Sequence, residues 1–134
     1  MLELRFAGAW RALSVLALLA IFGATLVPSD WLWFDDPSFR FRISDKWMHA
    51  ITFAALGLWF CGQYTRSSYW RVAIGLFAFG VLIEIAQRAV GYRSGDLLDL
   101  AADVAGIAAG LLMGLSGAGG WTPKLEDWLQ KQFG

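Results

Sequence analysis

The chain has 134 residues, 57% of them hydrophobic, with 11 basic and 11 acidic side chains and a mean hydropathy of +0.51. Only 16% of residues are charged, against about a quarter in a typical soluble domain, so charge this sparse would leave a water-facing surface too apolar. The balanced charge excludes a polyanionic partner held by bulk electrostatics, and nucleic-acid binding with it. Cys61 is the single cysteine and can form no intramolecular disulfide.

In chain order, the first apolar run is charge-free from Ala12 to Ser29. Arg5 and Arg11 precede it as in a signal sequence, but the run ends in Thr25-Leu-Val-Pro28 without a small-x-small cleavage pattern, so it reads as an uncleaved transmembrane helix over 10–28. Pro28 disfavours helix in the residue before it. The following stretch to Lys46 mixes Trp31, Trp33, Phe34, Phe39 and Phe41 with charges, as a segment at the membrane–water interface does, and its alternation at Phe39 to Ile43 suits extended chain. Ser44 or Asp45 would cap a second helix over 46–64. A short link, Thr65 to Tyr69, makes a third helix over 70–88 its antiparallel neighbour.

Gly91 to Gly95 turns the chain into a fourth helix over 96–116. Each of the four approaches the roughly 20 residues that span a bilayer. After Ser116-Gly-Ala-Gly-Gly120, Thr122 and Pro123 suit the cap and first position of a short last helix over 122–133. Leu125, Trp128, Leu129 and Phe133 would lie on its one apolar face, against the bilayer surface. The expected fold is all-α: an integral membrane four-helix bundle with a C-terminal interfacial helix, one domain over 1–134. Arg5, Arg11, Arg66, Arg71, Lys124 and Lys131 fall on one side, and Arg40, Arg42, Lys46, Arg88 and Arg93 on the other. That bias puts both termini in the cytoplasm.

Alternating helix direction gathers the polar residues at one end. Asp45, Lys46 and His49 begin the second helix, Glu84, Gln87 and Arg88 end the third, Arg93 is in the turn, and Asp96, Asp99 and Asp103 begin the fourth. Asp96, Asp99, Asp103, Gly106 and Gly110 recur at a 3-4-3-4 spacing, which is one helical stripe. Gly106-x-x-x-Gly110-x-x-x-Gly114 is a small-residue seam for close helix packing, so the acids above it should point into the bundle. A carboxylate at such depth costs about 2.5–3.5 kcal/mol on insertion scales unless partnered.

Together these motifs, Asp45-Lys46-x-x-His49-x-x-x-Phe53, Glu84-x-x-Gln87 and Arg93-x-x-Asp96-x-x-Asp99-x-x-x-Asp103-x-x-Gly106-x-x-x-Gly110, resemble the VanZ-like family over about Ser44 to Gly114. Asp103 stands where many members have Asn. The resemblance implies a small multi-pass protein of the bacterial inner membrane, in a family named for a protein linked to teicoplanin resistance, and it brings no agreed catalytic mechanism.

Three functions are open on this reading. As a binding or envelope-modulating protein, the chain would hold a lipid-linked or cell-wall precursor, with Lys46, Gln87, Arg88, Arg93, Asp96 and Asp103 as ligand-binding candidates and the two arginines gripping an anionic headgroup. As a membrane hydrolase or transferase, it would use catalytic candidates His49, Asp45, Glu84 and Asp99, with a divalent cation on Asp96, Asp99 and Asp103 as the candidate cofactor. As a proton or ion pathway, the acids would form a relay, and homo-oligomerisation would then be needed, since four helices are few for a transporter. The bland alternative is a polar cap: Asp45 fixing the His49 tautomer, Glu84 pairing with Arg88, and Arg93 with Asp96. No nucleophile motif, phosphate loop or H-E-x-x-H pattern occurs.

Overall fold

The computed structural model describes residues 1–26, 45–91 and 97–134, and of Asp45 the backbone only. The expected loop from Ser29, the cap at Ser44, and the turn holding Arg93 and Asp96 lie outside the described residues. Among the described residues five α-helices follow one another: α1 (Ala7–Leu26), α2 (Asp45–Cys61), α3 (Tyr69–Val90), α4 (Leu97–Met113) and α5 (Trp121–Phe133). No strand occurs among the described residues.

Three stretches, Ala7–Leu26, Arg66–Val90 and Leu97–Ala118, are long and apolar enough to cross a membrane. Many of their exposed side chains are large and apolar, including Leu16 and Leu19 of α1, Ile74 and Ile85 of α3, and Leu112 of α4. A soluble protein would hide such residues; here they face lipid. The fourth helix, α2, is shorter at 17 residues. It lies against α4 through most of its length, and so at the same depth.

That contact is made by glycine. A Cβ on Gly106 would strike the carbonyl oxygen of Ala50, one on Gly110 would come 2.5 Å from the carbonyl oxygen of Ala54, and one on Gly114 would come 2.6 Å from Cys61 Sγ. The partner number rises with the glycine number, so α2 and α4 run parallel. Small residues here let two backbones touch, which dispersion and packing reward when lipid offers no hydrophobic drive. Against α3 the numbering reverses: Gly80 faces Asp103, so α3 is antiparallel to α4. α1 closes the bundle, with Trp10 against Trp59 of α2 at one end and Gln87 Nε2 donating to the Thr25 carbonyl, 3.2 Å, at the other. Phe53, Leu56, Val72, Leu76, Ile83 and Ile107 form the apolar core.

Helix limits depart from expectation where tertiary contacts intervene. α2 stops at Cys61 rather than at 64, where carbonyls at its end meet donors from other segments. Trp121 Nε1 donates to Leu58, which also accepts from the Gly62 N–H, and the Gly120 N–H donates to Cys61, at 3.0, 3.2 and 2.9 Å; just beyond the helix the Leu2 N–H donates to Gln63 at 2.7 Å. The last carbonyls of a helix are left short of partners within it. α4 ends at Met113, and a wide π-type turn over Gly114–Ala118 follows, with Gly117 at φ 120. The last helix begins at Trp121 with Gly120 as its cap at φ 66, so Thr122 and Pro123 are not its cap and first residue. Of its expected apolar face, Trp128, Leu129 and Phe133 are exposed and Leu125 is half-buried.

The N-terminus of α1 is capped from far along the chain. Glu126 of α5 accepts from the N–H groups of Arg5 and Phe6 and from the Trp10 indole, at 2.9, 3.2 and 2.7 Å. Burial pushes this carboxyl's pKa up, but those three donors and the Arg5 charge outweigh it and hold the group below its ordinary value. Trp10, Trp59 and Trp121 stack edgewise around the same end. Ser14 is buried there, taking the Trp59 indole proton at 2.9 Å and contacting Gln63.

Candidate functional site

The opposite end carries the ionisable cluster. His49 lies one turn into α2, and the close α2–α4 packing brings it to Asp103: the imidazole Nδ1 and Asp103 Oδ1 are 2.7 Å apart. Nδ1–H donates to the carboxylate when the ring is neutral, which leaves Nε2 as the free ring nitrogen. Nε2 is 3.8 Å from Asp99 Oδ2, too far for a hydrogen bond. Glu84 arrives from α3, and ligand atoms of His49, Glu84 and Asp99 all lie within 4.8 Å of one another.

All four side chains are sheltered. Asp103 is fully buried, Glu84 and Asp99 each keep 7% exposure, and the His49 side chain keeps 12%. Asp103 has a second oxygen, Oδ2, with no hydrogen-bond partner among the described residues. It lies 2.8 Å from where a Cβ on Gly80 would stand, one helical turn from Glu84 on the same face of α3. Gly80 therefore makes room for this oxygen.

The candidates divide clearly. His49, Glu84, Asp99 and Asp103 come together, while Gln87 is buried one turn beyond Glu84 and is tied to α1 through Thr25. Lys46 and Arg88 are exposed. Arg93 and Asp96 lie outside the described residues, as does the side chain of Asp45. In the bland alternative Asp45, one turn away on its own helix, would fix the His49 tautomer, and its side chain is not described; a partner that the structure shows is Asp103 on another helix. Likewise, the acids nearest a common centre are Glu84 and Asp99 with His49, and Asp103 stands behind the imidazole. Gly80 is the participant that the sequence reading passed over. It is four residues before Glu84, the spacing that puts both on one face.

The fold and this cluster define a polytopic α-helical membrane protein with a sheltered imidazole–carboxylate site inside one end of the bundle. A family model described as VanZ/LLP1 matches residues 10–116. The chain belongs to that family. No curated protein and no solved structure matches it significantly.

Proposed function

We propose that this is a bacterial inner-membrane protein that binds or modulates a component of the cell envelope through the site formed by His49, Glu84, Asp99 and Asp103. The observation that carries the reading is the 2.7 Å His49–Asp103 contact between two helices, with Glu84 and Asp99 beside it. Ionisable groups within a membrane span are costly and mark sites of function. A helix-register device alone would need one pair, and this cluster has four members. Arg5, Arg11, Arg66, Arg71, Lys124 and Lys131 belong to the end opposite the site, which supports cytoplasmic termini and a site opening to the outer leaflet. There it would meet lipid-linked or cell-wall precursors, in keeping with a family named for teicoplanin resistance.

A second reading, hydrolase or transferase, draws on the same pair. A carboxylate that holds Nδ1–H leaves Nε2 oriented as a general base.

The test is a cell-envelope phenotype, glycopeptide sensitivity, measured beside melting temperature for His49→Ala, Asp99→Asn and Glu84→Gln. A working site loses the phenotype in all three while the proteins stay folded. Breaking one partner of a purely structural buried pair costs about 3–5 kcal/mol. Parallel loss of phenotype and stability in all three would leave the cluster as scaffold.

A further inference from the structure

We infer that the cluster is a divalent-cation site, with His49 Nε2, Glu84 and Asp99 as ligands and Asp103 as the group that orients the imidazole. The inference rests on the same four side chains as the proposed function and states what they hold.

Three observations carry it. The ligand atoms of His49, Glu84 and Asp99 come from three helices and lie within 4.8 Å of one another. The His49 Nε2–Asp99 Oδ2 separation, 3.8 Å, is near the roughly 3.4 Å between two ligands at about 2.1 Å from one tetrahedral ion. A modest rotamer adjustment closes the difference. Second, ligating histidines usually donate their other ring N–H to a carboxylate, which fixes the tautomer and raises the basicity of the ligating nitrogen. The Asp103 Oδ1–His49 Nδ1 contact at 2.7 Å has that form, and it leaves Nε2 on the side of Asp99. Third, Asp103 Oδ2 is a fully buried carboxylate oxygen without a partner among the described residues, set against Gly80 of α3, which lies one helical turn before Glu84. A water on the ion's coordination sphere would give it a partner.

Donor chemistry narrows the cation. An imidazole among carboxylates suits a dication, and the nitrogen favours Fe2+ or Zn2+ over Ca2+ or Mg2+, with Mn2+ serving as the spectroscopic probe. Three protein ligands leave a coordination position open, which a water or an anionic oxygen of a headgroup would take. An acid-lined pocket would thereby accept an anion.

His49 is the chain's only histidine, which makes the test specific. The full-length protein, purified in detergent without a polyhistidine tag and stripped with EDTA, is titrated with Mn2+ alone. Binding is followed by electron paramagnetic resonance, and electron spin-echo modulation reports a coordinated nitrogen. One Mn2+ per chain with imidazole-nitrogen modulation is expected. His49→Ala should remove the modulation, Glu84→Gln and Asp99→Asn should each weaken binding more than about tenfold, and Asp103→Asn should weaken it about 10- to 100-fold. Absence of bound Mn2+ in the wild type, or bound Mn2+ without nitrogen modulation, overturns the inference whether or not the variants fold. Nitrogen-coordinated Mn2+ with no envelope phenotype in His49→Ala keeps the cation and overturns the proposed function. A His49-dependent phenotype with no Mn2+ signal does the reverse.

Discussion

Replacing Gly106 by alanine adds one methyl group where the α2 and α4 backbones approach closely. Two effects compete. In a helix interior alanine is favoured over glycine by up to about 1 kcal/mol. Against this, the new Cβ would collide with the carbonyl oxygen of Ala50 and come within 3.0–3.1 Å of its carbonyl carbon and Cα. Those atoms are backbone, so no rotamer change relieves the clash and α2 must move away from α4. Overpacking of this kind costs about 1–3 kcal/mol, and the neighbouring contacts at Gly110 and Gly57 loosen with it. The net expectation is a loss of about 1–2 kcal/mol, or roughly 4–10 °C in melting temperature for a chain of this length. Gly75→Ala is the control, because a Cβ there meets nothing within 4 Å. It should melt at or slightly above the wild-type temperature, since only propensity acts. The clash has a second consequence. Ala50 adjoins His49, and Asp103 lies one turn before Gly106, so separating the helices stretches the 2.7 Å His49–Asp103 contact. Gly106→Ala should therefore weaken Mn2+ binding as well as stability, while Gly75→Ala changes neither. Thermal melts in one detergent, with Mn2+ titration of the same samples, decide the matter. A Gly106→Ala protein that melts with or above the wild type would refute the account of α2–α4 packing.

Other expectations follow from the opposite end of the bundle. Glu126→Ala removes the acceptor of two N–H groups and an indole, and should lower stability by about 2–3 kcal/mol at neutral pH. Because the Glu126 carboxyl lies below its ordinary value when folded, its contribution is fully present above the unfolded pKa of about 4.3. It is lost as pH falls through the lower folded value. Wild type and Glu126→Gln should accordingly converge in melting temperature on acidification, and a gap that widens would contradict the capping role. Gly62→Ala should destabilise, because its Cβ would run into the Trp121 ring and come 2.6 Å from Thr122 Oγ1; unchanged melting would speak against that close approach. A reporter fused after Gly134 should be active only in a cytoplasmic form, and activity confined to the exterior would reverse the proposed orientation.

Periodicity and composition were enough to read the helices and the face that α4 turns inward. A membrane span must satisfy every backbone group within itself, so length and hydropathy speak directly for α1, α3 and α4. The 3-4 spacing of Asp99, Asp103, Gly106 and Gly110 places them on one stripe by helical geometry alone, and all four are buried. Spacing shows only neighbours on the same helix, and from it Asp45 was one alternative for fixing the His49 tautomer. The structure brings Asp103, 54 residues away, against the imidazole, because the glycines of α4 let α2 approach until an imidazole and a carboxylate meet. Glu126 shows the same limit. Nothing local marks an acid in the last helix as the cap of the first, 120 residues upstream. Sequence by itself decided roughly where the helices lie and which stripe of the fourth holds the acids, for these depend on chain geometry and solvent. Which acid touches the imidazole, which stand around it and what closes the far end were decided by tertiary structure, because they depend on how nearly two backbones can approach.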